Sequence, residues 1–589
     1  MENVVRSLFV YLRDYRKETV LAPLFKMLEA SFELFVPLVM ASMIDKGIGN
    51  GDISYIIKMS LILLLLAGIG LTSSITAQFF AAKAAVGFAE KLRSALFSHI
   101  QGFSFSEEDK LGTSTLITRM TSDINQVQNG VNMVLRLFLR SPFIVFGAMI
   151  MAFTIDVKAA LIFVVTIPAL SGIVFGIMMW TMPLYKKVQG KLDLVLRVTR
   201  ENLTGARVIR AFAKEEEEKE HFHRENDELN TLQKYVGKIS ALMNPVTYIV
   251  VNAATIMLIY TGALRVDQGW ITQGEVVALV NYMAQILVEL VKLANLIVTI
   301  TKALACADRV ESVMLMESSM ADGTLTESEI AGKTLHTKAA KVEFKNVCLT
   351  YQGAGGESLS GLNFRVERGD TTGIIGGTGS GKSSLVNLIP RFYDATKGEV
   401  LIDGVNVKDY PIETLRRKTG IVMQKAVLFK GSIRENICWG RKDATDEEIE
   451  EALCMSQSKE FVDQKEGRLD FFITQNGKNL SGGQKQRLSI ARAMVRKPEI
   501  LILDDSASAL DFATDARLRK AIRETEGDMT VFIVSQRTSS IQHADQIIVL
   551  DDGEIAAIGT HEQLLKTCDL YQEIHYSQTG RSSEGGAGK

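Results

Sequence analysis

The chain has 589 residues, enough for several domains, and its charge is nearly balanced, with 66 Lys and Arg against 68 Asp and Glu. This balance excludes the basic surface of a nucleic-acid-binding protein, and the five scattered cysteines exclude a disulfide framework and a cysteine-based zinc site. Hydrophobic residues make up 47% of a chain that is 23% charged, which indicates one very apolar part joined to one ordinary part.

The first segment, residues 1–17, mixes apolar and basic positions and lacks the apolar core of a signal peptide. Its apolar side chains approximate one helical face, and most of its basic side chains lie off that face. The pattern predicts an amphipathic helix that lies on the cytoplasmic surface of a membrane.

Residues 18–316 contain the long apolar stretches of the chain. Each is long enough for the ~20 residues that cross a bilayer as a helix. Because these stretches lack a polar face, a soluble helical domain is the weaker alternative. We predict six membrane helices, at about 19–44, 56–82, 127–153, 158–183, 241–265 and 274–300.

The connections between these stretches alternate between short and long. The long ones, roughly 83–126 and 184–240, are charged, rich in Lys and Arg, and helical in their periodicity. We expect the membrane helices to continue through them well beyond the bilayer. The positive-inside tendency places them, and both chain termini, in the cytoplasm of a multi-pass membrane protein.

The pattern of apolar and polar residues changes after a polar linker, residues 317–340. From residue 341 to 580, short β-rich runs alternate with turns and helices, which predicts an α/β domain with a mainly parallel core. Residues 581–589 are rich in Gly and Ser and are expected to form a flexible tail.

A phosphate-binding loop follows the predicted strand TTGIIG and precedes a predicted helix. Its glycines let backbone N–H groups surround phosphates, Lys382 reaches the terminal phosphates of ATP, and Ser383 is a ligand for Mg²⁺. The predicted nucleotide-binding residues are Gly376, Gly377, Thr378, Gly379, Ser380, Gly381, Lys382, Ser383 and Ser384.

Two further motifs belong to the same chemistry. The apolar run 500–503 ends in Asp504, which predicts a buried strand that brings a carboxylate beside Mg²⁺. The sequence LSGGQ at 480–484 places a hydroxyl and two glycines at the start of a helix, which predicts a second anion site. One ATP does not need two phosphate-binding sites from the same chain. We therefore expect the second site, formed by Ser481, Gly482, Gly483 and Gln484, to contact a nucleotide held by another subunit.

With these motifs the chain resembles an ATP-binding-cassette (ABC) exporter that carries six membrane helices and one cassette per chain, over nearly its whole length. The resemblance implies an all-α membrane domain with intracellular extensions, fused to an α/β P-loop cassette that binds ATP and Mg²⁺. It implies that Tyr351 stacks on adenine, that Gln424 contacts Mg²⁺, and that 508–511 forms the D-loop. It also implies that 112–124 and 204–214 are the loops that couple the membrane helices to the cassettes.

Two catalytic positions depart from this family. Asp505 stands where the family usually has the glutamate that polarises the attacking water, and Gln536 stands where it has a histidine that contacts the γ-phosphate. The pair resembles the slow, degenerate site of heterodimeric bacterial multidrug exporters. The expected partner is a second half-transporter with the consensus Glu and His, and hydrolysis is expected mainly at the site that this chain's LSGGQ completes. A homodimer with slow ATPase is the alternative.

A charged residue inside a membrane helix is energetically costly, so each one within the predicted helices is a candidate for a role in function. Glu29, Glu33 and Glu289 are candidates for a substrate cavity that favours cationic amphiphiles, and mutual ion pairing that fixes helix packing is the alternative. We expect a hydrophobic or amphipathic, drug-like substrate to leave the cytoplasm or inner leaflet of a bacterial cell membrane by alternating access. A lipid flippase is the alternative function.

Overall fold

The computed structural model describes residues 8–326, 328–330, 340–506, 509–524 and 528–579. The chain forms two compact units, residues 1–101 with 114–316 and residues 102–113 with 317–589. The sequence-based division assigns 102–113 to the membrane domain, whereas in the structure this segment clusters with the cassette. The predicted tail, 581–589, lies outside the described residues.

The first unit is built from long helices. A 3₁₀ helix, Phe9–Tyr15, precedes them, and two π-helical turns, Met43–Ile48 and Arg119–Asp123, lie between them. The α-helices up to residue 314 are α1 (Arg16–Ser42), α2 (Ile53–Gln101), α3 (Phe105–Leu111), α4 (Thr113–Thr118), α5 (Ile124–Leu137), α6 (Arg140–Ile155), α7 (Val157–Thr204), α8 (Ala206–Ala211), α9 (Glu215–Ala241), α10 (Met243–Asp267) and α11 (Gln273–Met314).

The prediction of six membrane helices is confirmed by length and composition. Helix α2 has 49 residues and is therefore roughly 74 Å long, more than twice the ~30 Å hydrocarbon core of a bilayer. The helices thus extend beyond any bilayer, as their charged continuations predict. Among the described residues the six candidate spans are Phe9–Ile48, Ile53–Gln101, Thr113–Ile155, Val157–Thr204, Glu215–Asp267 and Gln273–Met314.

The predicted amphipathic helix at the N-terminus is shorter and tighter than expected. Residues 1–7 lie outside the described residues, and Phe9–Tyr15 is a 3₁₀ helix that runs directly into α1. Ion pairs from Asp14 to Lys91 and from Glu18 to Lys83 tie this beginning of the chain to α2.

Small residues let the helices of the first unit approach closely. A Cβ added to Gly130 of α5 would lie 2.3 Å from the Cβ of Ala303 in α11, so only glycine fits there. Buried alanines such as Ala30 and Ala148 line a hydrophobic core elsewhere in this unit. Close approach of this kind is how helices pack where lipid removes the hydrophobic driving force.

The described residues of the second unit form three sheets. Their strands are β1 (Val342–Leu349), β2 (Leu359–Val366), β3 (Thr371–Gly376), β4 (Lys397–Ile402), β5 (Val405–Asn406), β6 (Thr419–Val422), β7 (Gly431–Ser432), β8 (Phe472–Ile473), β9 (Ile500–Asp504), β10 (Thr530–Val534), β11 (Gln546–Asp551) and β12 (Glu554–Gly559). The order β12-β11-β3-β10-β9-β6 is parallel except for β12, and β2-β1-β4-β5 is antiparallel. The predicted mixed α/β cassette is confirmed.

Helices cover this central sheet and follow its strands. They are α12 (Lys382–Leu388), α13 (Ile412–Lys418), α14 (Ile433–Cys438), α15 (Asp446–Met455), α16 (Lys459–Asp463), α17 (Gly482–Met494), α18 (Phe512–Arg523), α19 (Thr538–Ile541), α20 (His561–Thr567) and α21 (Asp569–Thr579). Strands β3, β9 and β10 are parallel neighbours, so the residues that follow them meet at one edge of the sheet.

Candidate nucleotide-binding site

The loop after β3 has the backbone that the motif predicts. A Cβ on Gly376 would lie 2.1 Å from the carbonyl oxygen of Leu550, and Gly381 has φ +90° at the N-cap of α12, so both positions require glycine. Around Gly377 and Gly379 an added Cβ would meet no atom within 4 Å. The loop is therefore closed against the sheet on one side and open on the other, as a phosphate cradle must be.

Lys382 points into this loop. Its ammonium donates hydrogen bonds to the carbonyl oxygens of Gly376 at 2.9 Å and Gly377 at 2.5 Å, and to the hydroxyl of Ser380 at 3.2 Å. Burial lowers the pKa of Lys382, while the carboxylates of Asp505 and Asp504 act against that shift. The loop thus holds a buried cation where the terminal phosphates of a nucleotide would lie.

The hydroxyl of Ser383 donates a hydrogen bond of 3.0 Å to Asp504, so the end of β9 meets the start of α12. Burial raises the pKa of Asp504; the Ser383 hydrogen bond opposes this rise, and the neighbouring Asp505 adds to it. A buried carboxylate beside a hydroxyl and a second carboxylate is a set of oxygen ligands that suits Mg²⁺. These residues therefore fit the predicted Mg²⁺ ion. The side-chain oxygen of the nearby Gln424 could serve as a further ligand.

Asp505 and Gln536, the two residues that differ from the usual family residues, line one pocket. The side-chain amide of Gln424 donates a hydrogen bond of 3.2 Å to the carboxylate of Asp505. Gln536 follows β10 and lines the same pocket, which has a volume of about 440 Å³. The structure brings together these residues at the pocket: Thr378, Gly379, Gly381, Lys382, Ser383, Ser384, Gln424, Asp504, Asp505 and Gln536.

Tyr351 lies beside this pocket rather than in its lining. Its hydroxyl donates a hydrogen bond of 2.9 Å to Ser384, and its ring meets that of Tyr393 edge-on, with centroids 5.0 Å apart. Burial raises the pKa of Tyr351, with the Ser384 hydrogen bond opposing the shift. The ring is thus held at the side of the phosphate loop, as a base-stacking residue would be.

The LSGGQ segment begins α17 with a complete capping box. The Ser481 hydroxyl accepts from the backbone N–H of Gln484 at 3.3 Å, and the Gln484 side chain accepts from the N–H of Ser481 at 3.0 Å. Ser481 and Gly482 are exposed at this helix start. Within the described part of the chain, residues 480–484 do not line the pocket of Lys382.

The D-loop prediction is only partly covered by the structure. Ser508 lies outside the described residues. Asp511 caps α18, because its carboxylate accepts from the backbone N–H of Thr514 at 2.8 Å. This helix cap is a local structural reason for an aspartate at position 511. The role of the D-loop stays a prediction.

The segment that clusters with the cassette was not identified by its sequence. It is α3, which precedes the predicted coupling loop 112–124. Its Phe105 ring stacks at a tilt on Phe392 with centroids 4.7 Å apart, and the hydroxyl of Tyr393 donates to Asp109 at 2.6 Å. In the sequence, the adjacent aromatic residues Phe392 and Tyr393, which follow helix α12, are the one feature that could have indicated this contact.

A capping box fixes the start of α3. Both the backbone N–H and the hydroxyl of Ser104 donate to Glu107, which also accepts from the backbone N–H of Ser319. Burial opposes ionisation of Glu107, but the hydrogen bonds from Ser104 and Ser319 prevail and lower its pKa. The acid therefore joins α3 to residue 319 within one unit.

Models of two protein families match the chain. The ABC transporter transmembrane region matches residues 19–290, and the ABC transporter cassette matches residues 359–508. A protein of Mycobacterium tuberculosis described as an uncharacterized ABC transporter ATP-binding protein is 35% identical over 98% of this chain and 99% of its own length. The chain belongs to the ABC transporter family. It is a half-transporter that combines a multi-pass membrane domain with an ATP-binding cassette.

Two further relatives and one solved structure are similar to this ABC transporter. An uncharacterized ABC transporter ATP-binding protein of Bacillus subtilis is 34% identical over 97% of this chain and 98% of its own length. The ATP-dependent lipid A-core flippase of Escherichia coli is 28% identical over 98% of both chains. A solved bacterial Atm1-family ABC exporter with ATP bound shares the fold, with a TM-score of 0.79 and 23% identity over 97% of this chain and 99% of its own.

The three glutamates predicted to line a substrate cavity in the transporter are ion-paired. Glu29 pairs with Lys26 at 2.5 Å, and Arg140 pairs with Glu33 at 2.7 Å and with Glu289 at 2.6 Å. These contacts correspond to the ion-pairing alternative. The role of the glutamates in a cavity stays a prediction.

Proposed function

We propose that this chain is the degenerate-site subunit of a heterodimeric ABC exporter in a bacterial cell membrane, with both termini and the cassette in the cytoplasm. One observation carries the proposal. A pocket with an intact phosphate loop, Lys382, Ser383 and Asp504 also contains Asp505 and Gln536 in place of the residues that usually drive hydrolysis.

Asp505 is too short for the role of the family glutamate. It has one methylene fewer, so its carboxylate ends roughly 1 Å short of the attacking water, and misplacement of that size can cost ~10²-fold in rate. Its carboxylate already accepts a hydrogen bond from Gln424. Both features support a pocket that binds ATP better than it hydrolyses it.

Gln536 supports the same conclusion on different grounds. A glutamine amide can donate a hydrogen bond to a γ-phosphate, but it cannot carry the positive charge that histidine can. Charge developing on the transferred phosphoryl group is therefore less well stabilised. Mg²⁺, held by Ser383, Gln424 and Asp504, would neutralise part of that charge when bound.

The intact LSGGQ segment supports a partner of a different kind. Its helix start is exposed and apart from this chain's own phosphate loop, so it is available to a nucleotide on a second subunit. A partner with a consensus Glu and His would then hydrolyse most of the ATP. In a homodimer, two impaired pockets would face each other, so slow ATPase would follow.

We propose hydrophobic or amphipathic, drug-like compounds as the substrates, moved by alternating access as ATP draws two cassettes together. The second candidate is lipid flipping. It is favoured by the relatives named ATP-dependent lipid A-core flippase, which match this chain along almost its whole length.

Two experiments test this proposal. Affinity purification of the tagged chain from its native membrane should recover a second half-transporter with Glu directly after the aspartate that corresponds to Asp504. Recovery of this chain alone would contradict the heterodimer. In the reconstituted complex, cationic and neutral drugs are compared with lipids as activators of the ATPase. Stimulation by drugs supports drug export, and stimulation by lipids alone supports the flippase.

A further inference from the structure

The segment that carries Gln536 into the nucleotide pocket is a short stretch between a strand and a helix. Residues 535–537 connect β10 to α19, and we call residues 535–538 the switch segment. Its first residue is tied to the central sheet, because the backbone N–H of Ser535 donates to the carbonyl oxygen of Ile374 at 3.0 Å. This bond ends one residue before Gln536, so contacts beyond the sheet must set the position of that residue.

Two contacts of Arg537 shape the switch segment from within the cassette. The hydroxyl of Ser535 accepts a hydrogen bond of 2.9 Å from the backbone N–H of Arg537. The guanidinium of Arg537 lies over the ring of Phe512, 5.1 Å from its centroid. Among the described residues the Gln536 side chain makes no hydrogen bond, so its direction depends on the backbone that carries it.

One side chain of the C-terminal helix α21 bridges the switch segment. The Nε2 of Gln578 donates a hydrogen bond of 2.7 Å to the carbonyl oxygen of Gln536. Its Oε1 accepts from the backbone N–H of Thr538 at 2.9 Å and from the Thr538 hydroxyl at 3.1 Å. Both ends of a single amide are therefore used to hold the backbone on either side of Arg537.

These bonds supply partners that the local backbone lacks. The N–H of Thr538 opens α19 and has no partner within that helix, and the N-cap residue Arg537 gives no side-chain hydrogen bond. Among the described residues the carbonyl oxygen of Gln536 accepts from Gln578 alone. The Thr538 hydroxyl has a second contact, with the Nδ1 of His575 at 3.1 Å. Gln536 therefore depends on Gln578 more than Thr538 does.

The helix that carries Gln578 is firmly anchored. Tyr571 of α21 is fully buried, and its hydroxyl shares a hydrogen bond of 2.7 Å with His561. Ile574 packs against the same hydrophobic core. Tyr571, Ile574 and Gln578 follow one another at i, i+3 and i+7, so they share one helical face. The face that anchors the helix thus also presents Gln578 to the switch segment.

From these contacts, and resting on the proposed binding of ATP in this pocket, we infer that Gln578 is a positioning residue that holds the switch segment so that the Gln536 amide reaches the γ-phosphate. Within the described part of the chain Gln578 does not line the pocket, so it acts through Gln536. Only ATP has the γ-phosphate. The C-terminal helix therefore contributes to the preference of the pocket for ATP over ADP.

The test uses the full-length chain in detergent with Mg²⁺. Displacement of a fluorescent ATP analogue by ADP and by AMPPNP, a non-hydrolysable ATP, gives two affinities, and their ratio reports the contact with the γ-phosphate. The variants are Q536A, Q578A and the double variant. Q572A is the matched control, because Gln572 lies in the same helix but donates to the carbonyl oxygen of Leu565 at 3.0 Å.

We expect Q578A to bind AMPPNP about fivefold more weakly than the wild type, as for one lost hydrogen bond, with unchanged affinity for ADP. Q572A should keep the wild-type ratio. The double variant should lose no more than Q536A alone, because the two residues act on one contact. Q578E keeps an acceptor for Thr538 but has no donor for the Gln536 carbonyl, so it should behave like Q578A and replaces that variant if Q578A does not fold.

Four results would overturn the inference: an unchanged ratio in Q578A or Q536A, an equal fall in both affinities, an equal fall of the ratio in Q572A, or additive losses in the double variant. Rapid ATP hydrolysis by the wild-type chain would contradict the proposed degenerate site and leave the assignment of Gln578 standing. Slow hydrolysis with an unchanged ratio in Q578A would contradict the assignment alone.

Discussion

The amide nitrogen of Gln424 lies 3.2 Å from a carboxylate oxygen of Asp505, although the two residues are 81 positions apart in the sequence. Gln424 follows the edge strand β6, and Asp505 follows β9, so the parallel sheet brings them together. The carboxylate that should orient water is thus engaged by a neighbour. This contact supports our proposal that the pocket holds ATP and hydrolyses it slowly.

The hydrogen bond between Tyr393 and Asp109 should transmit changes at the nucleotide pocket to α3. In Y393F the ring can still pack on Phe105, but the hydroxyl that donates to Asp109 is gone. We expect ATP binding to persist and substrate stimulation of the ATPase to fall several-fold. The measurement is the ratio of stimulated to basal ATPase in the reconstituted complex.

Tyr576→Phe is the matched control, because among the described residues the Tyr576 hydroxyl makes no hydrogen bond. It should leave the stimulation ratio unchanged. If Y393F and Y576F behave alike, the Tyr393–Asp109 contact has no part in coupling.

Glu289 and Glu33 both pair with Arg140 but differ in burial. The Glu289 side chain is 4% exposed, so E289Q removes the buried charge partner of Arg140 and leaves the more exposed Glu33 paired with it, at a cost of about 3 kcal/mol. The Glu33 side chain is 40% exposed, so E33Q should cost no more than about 1 kcal/mol. Thermal unfolding of the two purified variants measures the difference, and equal losses would contradict the burial of this pair.

The stability of the cassette should fall on mild acidification because of His561. Burial, together with the nearby His575 and His543, lowers the pKa of His561 below its usual 6.5. The neutral ring, which shares a hydrogen bond of 2.7 Å with Tyr571, is therefore favoured in the folded state. This contribution is present in full above pH 6.5 and is lost as the pH falls through the lowered pKa.

H561Q removes this titration, so its apparent Tm should drop less than that of the wild type between pH 7.5 and 5.5. The exposed His223 provides the control, since H223Q should keep the wild-type pH dependence. An identical pH dependence in wild type and H561Q would show that another group is responsible.

The nucleotide pocket could be predicted from the sequence because its signals are local. The apolar runs at 371–376 and 500–504 end in the glycine loop and in Asp504, and both form strands with those bounds. Parallel strands end at one edge of a sheet, so the meeting of Ser383 with Asp504 followed from the motifs.

Contacts between distant segments could not be predicted in this way. Tyr393 and Asp109 are 284 residues apart, and Arg140 and Glu289 are 149 apart, so each pairing depends on which helices are neighbours. Helical periodicity identifies the face on which a charge lies but not the element that packs against it. For the same reason the contact of α3 with the cassette was not predicted, and the assignment of 112–124 as a coupling loop stays a prediction.

The most direct test of a degenerate nucleotide pocket compares the steady-state ATPase of the purified chain alone with that of its D505E/Q536H double variant. We expect a very low rate for the wild type and a rise of about 10²-fold in the double variant, because the longer carboxylate and the imidazole restore the water and γ-phosphate contacts. A wild-type rate close to that of the double variant would contradict a degenerate site in this subunit.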